Sequence, residues 1–135
     1  MYGGIVNMPA ADEKLTSALN HDWVADDGRH FKISADTFSP VLHTASVSNA
    51  RVIEDLSNDR PLLNGSGSHA TVVARVDYVT QPGQPVKVLR VHVIDPWPGA
   101  APPPQMARFL DMAEMTSVFL GGSHRYLASI KLTPL

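Results

Sequence analysis

The sequence predicts an α+β fold in which N-terminal helices precede an antiparallel, bent sheet. Three observations carry that expectation. Residues 9–19 and 49–56 place apolar side chains at helical spacing. Residues 69–79 and 86–95 are rich in β-branched side chains and flank the turn Gln81-Pro82-Gly83-Gln84-Pro85, which is the pattern of a β-hairpin. Residues 125–132 alternate as a last strand. Helices first and paired strands afterwards make an α+β arrangement. A length of 135 residues suits one domain with its own core. We therefore expect residues 1–135 to form a single domain, mainly helical over 1–60 and antiparallel sheet over 61–135.

The elements follow in order. In the first helix, Pro9 fits a first-turn position, and Asp12 and Glu13 favour the positive helix end. Leu15, Ala18 and Leu19 share a face, and Asn20 ends the run. Residues 21–39 are mixed: Asp26-Asp27-Gly28 signals a turn and Phe31-Lys32-Ile33 a short strand. Ser48 is an N-cap candidate for a second helix whose stripe is Val52, Ile53 and Leu56, broken by Asn58-Asp59-Arg60-Pro61. Pro61-Leu62-Leu63 is extended, and Gly65-Ser66-Gly67-Ser68 leads flexibly into the first hairpin strand. A loop centred on Pro82-Gly83 makes positions whose numbers sum to roughly 165 face each other. Pro96-Trp97-Pro98-Gly99 stops the second strand, since proline cannot donate to a ladder. Ala101-Pro102-Pro103-Pro104 reads as a surface loop and 106–115 as a helix with Phe109, Leu110 and Ala113 inward. After the Gly121-Gly122 break, Tyr126, Ala128 and Ile130 form one face of the final strand and Leu127 the other.

Composition narrows the function. The chain is 44% hydrophobic and 18% charged, with 11 basic and 13 acidic residues and a formal charge of −2. There is no basic block, so nucleic acid is not an expected partner. Cysteine is absent, which removes disulfides, thiolate metal sites and thiol nucleophiles together. No apolar run reaches bilayer length, and the N-terminus lacks the basic-then-apolar order of a signal peptide. No membrane association is expected, and a cytoplasmic location is the default. Six histidines (His21, His30, His43, His69, His92 and His124) raise the question of a metal. None shows a helical H-x₃-H or HExxH spacing, and zinc needs three or four protein ligands, so no metal or cofactor is expected. Gly65-x-Gly67 and Gly121-Gly122 are ordinary turns rather than phosphate loops. Trp97 caps the core end more readily than it stacks on a ligand, and Arg75, Asp77 and Arg90 are solvated sheet positions suited to cross-strand pairing.

One constellation has chemical content. Under the hairpin pairing, His69 begins one strand where Asp95 ends its neighbour. A histidine beside a carboxylate is the base-and-orienter pair of a catalytic triad, because the carboxylate fixes the tautomer and stabilises the imidazolium. Taken alone, the two read as a hydrogen-bonded strand-end histidine and a turn-initiating aspartate before Pro96. Whether they share a face depends on register, since a one-residue slip reverses every side chain.

The phrases Ser66-Gly67-Ser68-His69-Ala70-Thr71-Val72-Val73 and Val91-His92-Val93-Ile94-Asp95-Pro96-Trp97-Pro98-Gly99 resemble the papain-like cysteine peptidases of bacteria. The similar branch includes bacteriocin-processing peptidase domains and plant-pathogen effector proteases. The resemblance places the catalytic histidine at His69 and the third residue at Asp95. Residues 52–63 and the elements from Glu114 onward resemble further family segments, so the likeness covers roughly the last ninety residues. The departures are specific. The family's nucleophilic cysteine and its oxyanion-hole glutamine are missing; Gln81, Gln84 and Gln105 all follow His69, and Ser68 replaces the usual glycine. Family spacing would put the cysteine helix shortly before Met1, with residues 1–7 matching the segment after it. Ser66 and Ser68 adjoin His69, but a nucleophile normally approaches from another element across a cleft.

The expected function is therefore a papain-like fold remnant without protease activity, with His69 and Asp95 as remnant base and orienter. Its uncovered apolar surface would be closed by self-association as a homodimer or by a peptide or protein partner. One alternative is a small-molecule or peptide-binding α+β module of unrelated fold, anchored by His69 or His92. Another is a hydrolase completed by a partner segment that supplies the nucleophile.

Overall fold

The computed structural model describes residues 17–67, 69–96 and 107–135. Alternating apolar and polar residues through those segments give seven strands: β1 (Asp22–Val24), β2 (His30–Phe38), β3 (Leu62–Ser66), β4 (His69–Val79), β5 (Lys87–Ile94), β6 (Ala107–Phe109) and β7 (His124–Pro134). They form a single sheet of order β1-β2-β7-β3-β4-β5-β6. Every neighbouring pair is antiparallel. Among the described residues, two complete short α-helices accompany it, α1 (Asn49–Ser57) and α2 (Met112–Met115), with a 3₁₀ turn at Val118–Leu120. The α+β expectation holds at that level.

β7 divides the core. Its Leu127 joins Leu42, Val52, Leu62, Val73, Val91 and Val93 in one buried cluster. Tyr126, Ala128 and Ile130 join Leu19 and Ile33 in another. Successive strand residues face opposite ways, so the two clusters lie on opposite faces, and the alternation read from the sequence is the one observed. The first face is closed by Val52 and Leu56 of α1. Burying an aliphatic side chain of this size contributes roughly 1.5–3 kcal/mol.

Several elements differ from the sequence reading. Within the described part of 1–60, the strands β1 and β2 stand beside α1, so that segment is not mainly helical there. β2 runs well beyond the short strand expected at 31–33 because it pairs with β7 from Phe31↔Pro134 to Phe38↔Leu127. α1 begins where expected, but Ser48 makes no side-chain cap bond. Its hydroxyl instead meets that of Ser46 at 2.8 Å. The helix expected over 106–115 is in its first part strand β6, paired to β5 through His92↔Phe109, Val93↔Arg108 and Ile94↔Ala107. Helix starts only after Asp111, whose carboxylate accepts from the Glu114 amide while the Glu114 side chain accepts from the Asp111 amide. This reciprocal cap fixes the helix start. Of the first predicted helix, residues 17–19 are helical; its remainder, together with Ser68, Trp97 and the 101–104 loop, lies outside the described residues.

The hairpin register decides what the site contains. Val73 faces Val93 and Val76 faces Val91, with irregularities between Val73 and Arg75 and between Asp77 and Tyr78. Partner numbers thus sum to 166 or 167, close to the expected value of roughly 165. Val73, Val91 and Val93 then point inward, and the same alternation carries Asp95 inward two residues past Val93. Gly65 of β3 lies under the ring of Tyr126: a Cβ there would sit 2.3 Å from the Tyr126 Cε1. That close approach explains the glycine as a packing requirement.

Candidate functional site

His69 opens β4, and Asp95 follows the last residue of β5. The structure brings them together: His69 Nε2 lies 2.7 Å from Asp95 Oδ1. The Asp95 side chain is 4% exposed and the His69 side chain 37%. A carboxylate accepts hydrogen bonds, so it selects the tautomer that carries the proton on Nε2. Nδ1 is then the basic nitrogen, and no hydrogen bond among the described residues engages it.

The second carboxylate oxygen is also held. Arg108 Nε donates to Asp95 Oδ2 at 2.8 Å. The two terminal nitrogens of the same guanidinium donate to the Glu114 carboxylate at 2.7 and 2.8 Å. One planar fork thus grips two acids, a geometry that lysine does not reproduce. The paired Arg108 guanidinium, foremost through hydrogen bonding, holds the Glu114 carboxyl below the ordinary glutamate range. The same contacts, led by Glu114, raise the Arg108 guanidinium above its usual value. His69, Asp95, Arg108 and Glu114 therefore form one hydrogen-bonded chain across β4, the end of β5, β6 and α2.

The serine alternative can be read directly. Ser66 is the cross-strand partner of His69. Its hydroxyl donates to the Glu114 carbonyl at 3.1 Å and accepts from Asn64 Nδ2 at 3.0 Å. Its proton is directed at a backbone carbonyl and not at the imidazole, so Ser66 is a structural hydroxyl. Asn64 also donates to Thr71 Oγ1 at 3.3 Å, which stitches β3 to β4 beneath the histidine.

The opposite face of the same hairpin carries a second histidine, aspartate and arginine group. His92 Nε2 is 3.1 Å from Asp77 Oδ2, and Arg90 Nε is 2.8 Å from the same oxygen. Arg75 reaches Asp77 at 3.6 Å. The His92 ring packs against Phe109 with centroids 4.2 Å apart. Hydrogen bonding to His92, with Arg90 and Arg75 nearby, lowers the Asp77 carboxyl below its usual range. Of these, Arg75, His92 and Phe109 border an open groove of about 310 Å³ that Ile94, Ala107 and Arg108 also line. The cross-strand pairing read for Arg75, Asp77 and Arg90 is present.

His124 stands apart from both groups. It is 3% exposed, its Nε2 has no hydrogen-bond partner among the described residues, and burial pushes its pKa down to about 4. It borders a groove of about 200 Å³ with Leu42, His43, Met115, Phe119 and Leu120. His43 holds a left-handed backbone at φ 52°. Among the described residues no three His, Asp or Glu side chains gather as metal ligands, and no helix is long and apolar enough to cross a membrane.

Sequence reasoning missed Arg108 and the part played by Glu114. The Asp111-x-x-Glu114 spacing signals a capping box, and that signal absorbs Glu114 without hinting at its second role. Nothing local marks Arg108, because its partners come from β5 and α2. No family model matches the sequence, and neither a curated protein nor a solved structure matches it significantly.

Proposed function

We propose that this chain is a non-catalytic, papain-like cysteine-protease-like domain that self-associates, with His69 and Asp95 as remnant base and orienter. The observation that supports it most is the 2.7 Å contact from His69 Nε2 to the buried Asp95 carboxylate, at the place where the resemblance puts a histidine and its orienting acid. The tautomer this contact selects leaves Nδ1 basic, as a thiol-activating imidazole requires. The 135 residues contain no cysteine, and Ser66 sends its proton elsewhere. A base and its orienter without a nucleophile perform no acyl transfer.

Self-association is supported by apolar surface on one side of the molecule. Phe119 is 94% exposed and Leu120 72%, and the two neighbouring residues edge the groove beside His124. Exposed apolar side chains beside a groove mark docking surfaces. Light scattering on the column eluate at micromolar concentration is expected to give a dimer mass. Phe119→Asp, at a position with almost no packing to lose, is expected to give a monomer. A monomer for the unsubstituted chain overturns the self-association.

A second reading is supported by the half-open imidazole. With Nδ1 unengaged among the described residues and the side chain 37% exposed, a nucleophile on another segment has access to the base. The chain would then be one half of a hydrolase. Ester or peptide turnover in the presence of a thiol-bearing partner, abolished by His69→Ala, would establish it. Inertness under those conditions leaves the non-catalytic reading standing.

A further inference from the structure

We propose that Arg108 is a positioning residue for His69: it locks the Asp95 carboxylate in the orientation that faces the imidazole and withholds part of its negative charge. This deepens the reading of His69 and Asp95 as base and orienter. It stands on contact geometry alone, so either can fail while the other survives.

The argument starts from Asp95, whose side chain is 4% exposed. A buried carboxylate needs compensation on both oxygens. Oδ1 faces His69 Nε2 at 2.7 Å and Oδ2 faces Arg108 Nε at 2.8 Å. With both oxygens fixed, the carboxylate cannot rotate to offer His69 a different lone pair. Arg108 is itself fixed by the two bonds to Glu114. Glu114 is fixed in turn by the α2 cap at the Asp111 amide, 3.0 Å away. The orientation of the imidazole is thereby tied to the start of α2. The charged groups of this chain are Asp95 at the end of β5, Arg108 on β6 and Glu114 on α2; the hydroxyl of Ser66 on β3 adds no charge.

The charges give the test its signs. Replacing Arg108 by a neutral residue removes a cation that compensates the Asp95 carboxylate, and a second imidazole proton on His69 becomes more favourable beside it. Replacing Glu114 by glutamine keeps the acceptor for the Asp111 amide but frees the guanidinium to act wholly on Asp95, which disfavours that proton. A residue acting only through packing would not move the two in opposite directions.

The experiment is ¹⁵N NMR of the His69 ring at one fixed pH near 7. Arg108→Met is expected to raise the doubly protonated fraction severalfold over the unsubstituted chain. Glu114→Gln is expected to lower it. Arg108→Lys, which keeps the charge and loses the fork, is expected to leave the fraction close to the unsubstituted value while broadening the Nε2 resonance. An unchanged fraction in Arg108→Met, or a shift of the same sign in Arg108→Met and Glu114→Gln, overturns the proposal. Should Arg108→Met fail to fold, Glu114→Gln decides: a fraction unchanged or raised overturns it.

Discussion

Two groups of the same composition lie on the two faces of the β4–β5 hairpin, the inner one completed by Arg108 of β6. Inside, His69, Asp95 and Arg108 meet. Outside, His92, Asp77 and Arg90 meet, with hydrogen-bonding distances in the same range. The difference is burial: the Asp95 side chain is 4% exposed and that of Asp77 is 26%. Water solvates the outer carboxylate whichever partners it has, so the outer group is an exchangeable surface network. The inner carboxylate has few alternatives to its protein partners, so its partners define the site. A list of residue types cannot separate the two groups; the register of β4 against β5 does.

The largest expected effect follows from that contrast. Asp95→Ala leaves His69 Nε2 and Arg108 Nε without their acceptor. Two charge-assisted hydrogen bonds are lost, each worth about 1.5–3 kcal/mol. The low end, about 3 kcal/mol for the two together, is expected here because the His69 and Arg108 side chains are left within reach of water and Arg108 keeps its two bonds to Glu114. Asp77→Ala is expected to leave the urea midpoint unchanged within the precision of the curve. Paired urea titrations measure both. Equal losses would erase the distinction between the faces.

Much of this was legible in the sequence, and the failures have physical causes. The β-branched runs around Gln81 to Pro85 indicated the hairpin, and strand ends joined by a short loop must lie together, so His69 and Asp95 were found as neighbours. Their common face was not legible, because the irregularity between Val73 and Arg75 shifts the register without a mark in composition. Tyr126, Ala128 and Ile130 were legible as one face because β7 is regular through them. β6 was misread as helix because three residues are too few to show a period, and their strand state comes from pairing with β5. Arg108 was invisible for the same reason.

The inner side of the sheet is also expected to lose stability on acidification above the carboxylate range, before the carboxyls of either face take up protons. His124 is buried and neutral, with a pKa pushed down to about 4. An unfolded histidine binds its proton near pH 6.5. Below that value the unfolded state takes up a proton that the folded state refuses, so stability falls as pH drops from about 6.5 towards 4, by about 3 kcal/mol in all. Urea midpoints across that window should show the loss, and His124→Leu should flatten it. An equally steep curve in the variant would assign the sensitivity to another group.

A smaller effect tests the backing of the inner group. Gly65 sits next to Ser66, the cross-strand neighbour of His69, and a Cβ at 65 would overlap the Tyr126 ring. Gly65→Ala is expected to destabilise by about 1–3 kcal/mol, the usual cost of overpacking. The inner group is expected to survive, because the displaced ring belongs to the opposite core. Thermal melts measure the cost, and the His69 ring resonances report whether the site has moved.

The smallest effect is the most selective. Asp77 and Glu114 both have carboxyls held below their ordinary range, chiefly by hydrogen bonds to His92 and to Arg108 respectively. A lowered folded-state value contributes stability above the ordinary carboxylate range, lost as pH falls through the folded-state value. Salt separates the two causes. The screening length shrinks from about 10 Å at 0.1 M to about 3 Å at 1 M, and exposed charges respond far more than enclosed ones. Carboxyl titrations followed by ¹³C NMR at the two salt concentrations should therefore show Asp77 climbing towards its ordinary value. Glu114, gripped by both terminal nitrogens of Arg108 with its side chain 16% exposed, should stay in place. If the two carboxyls climb together, Arg108 is holding Glu114 by long-range charge and not by the fork, and the inner group loses the rigidity that distinguishes it from its counterpart across the sheet.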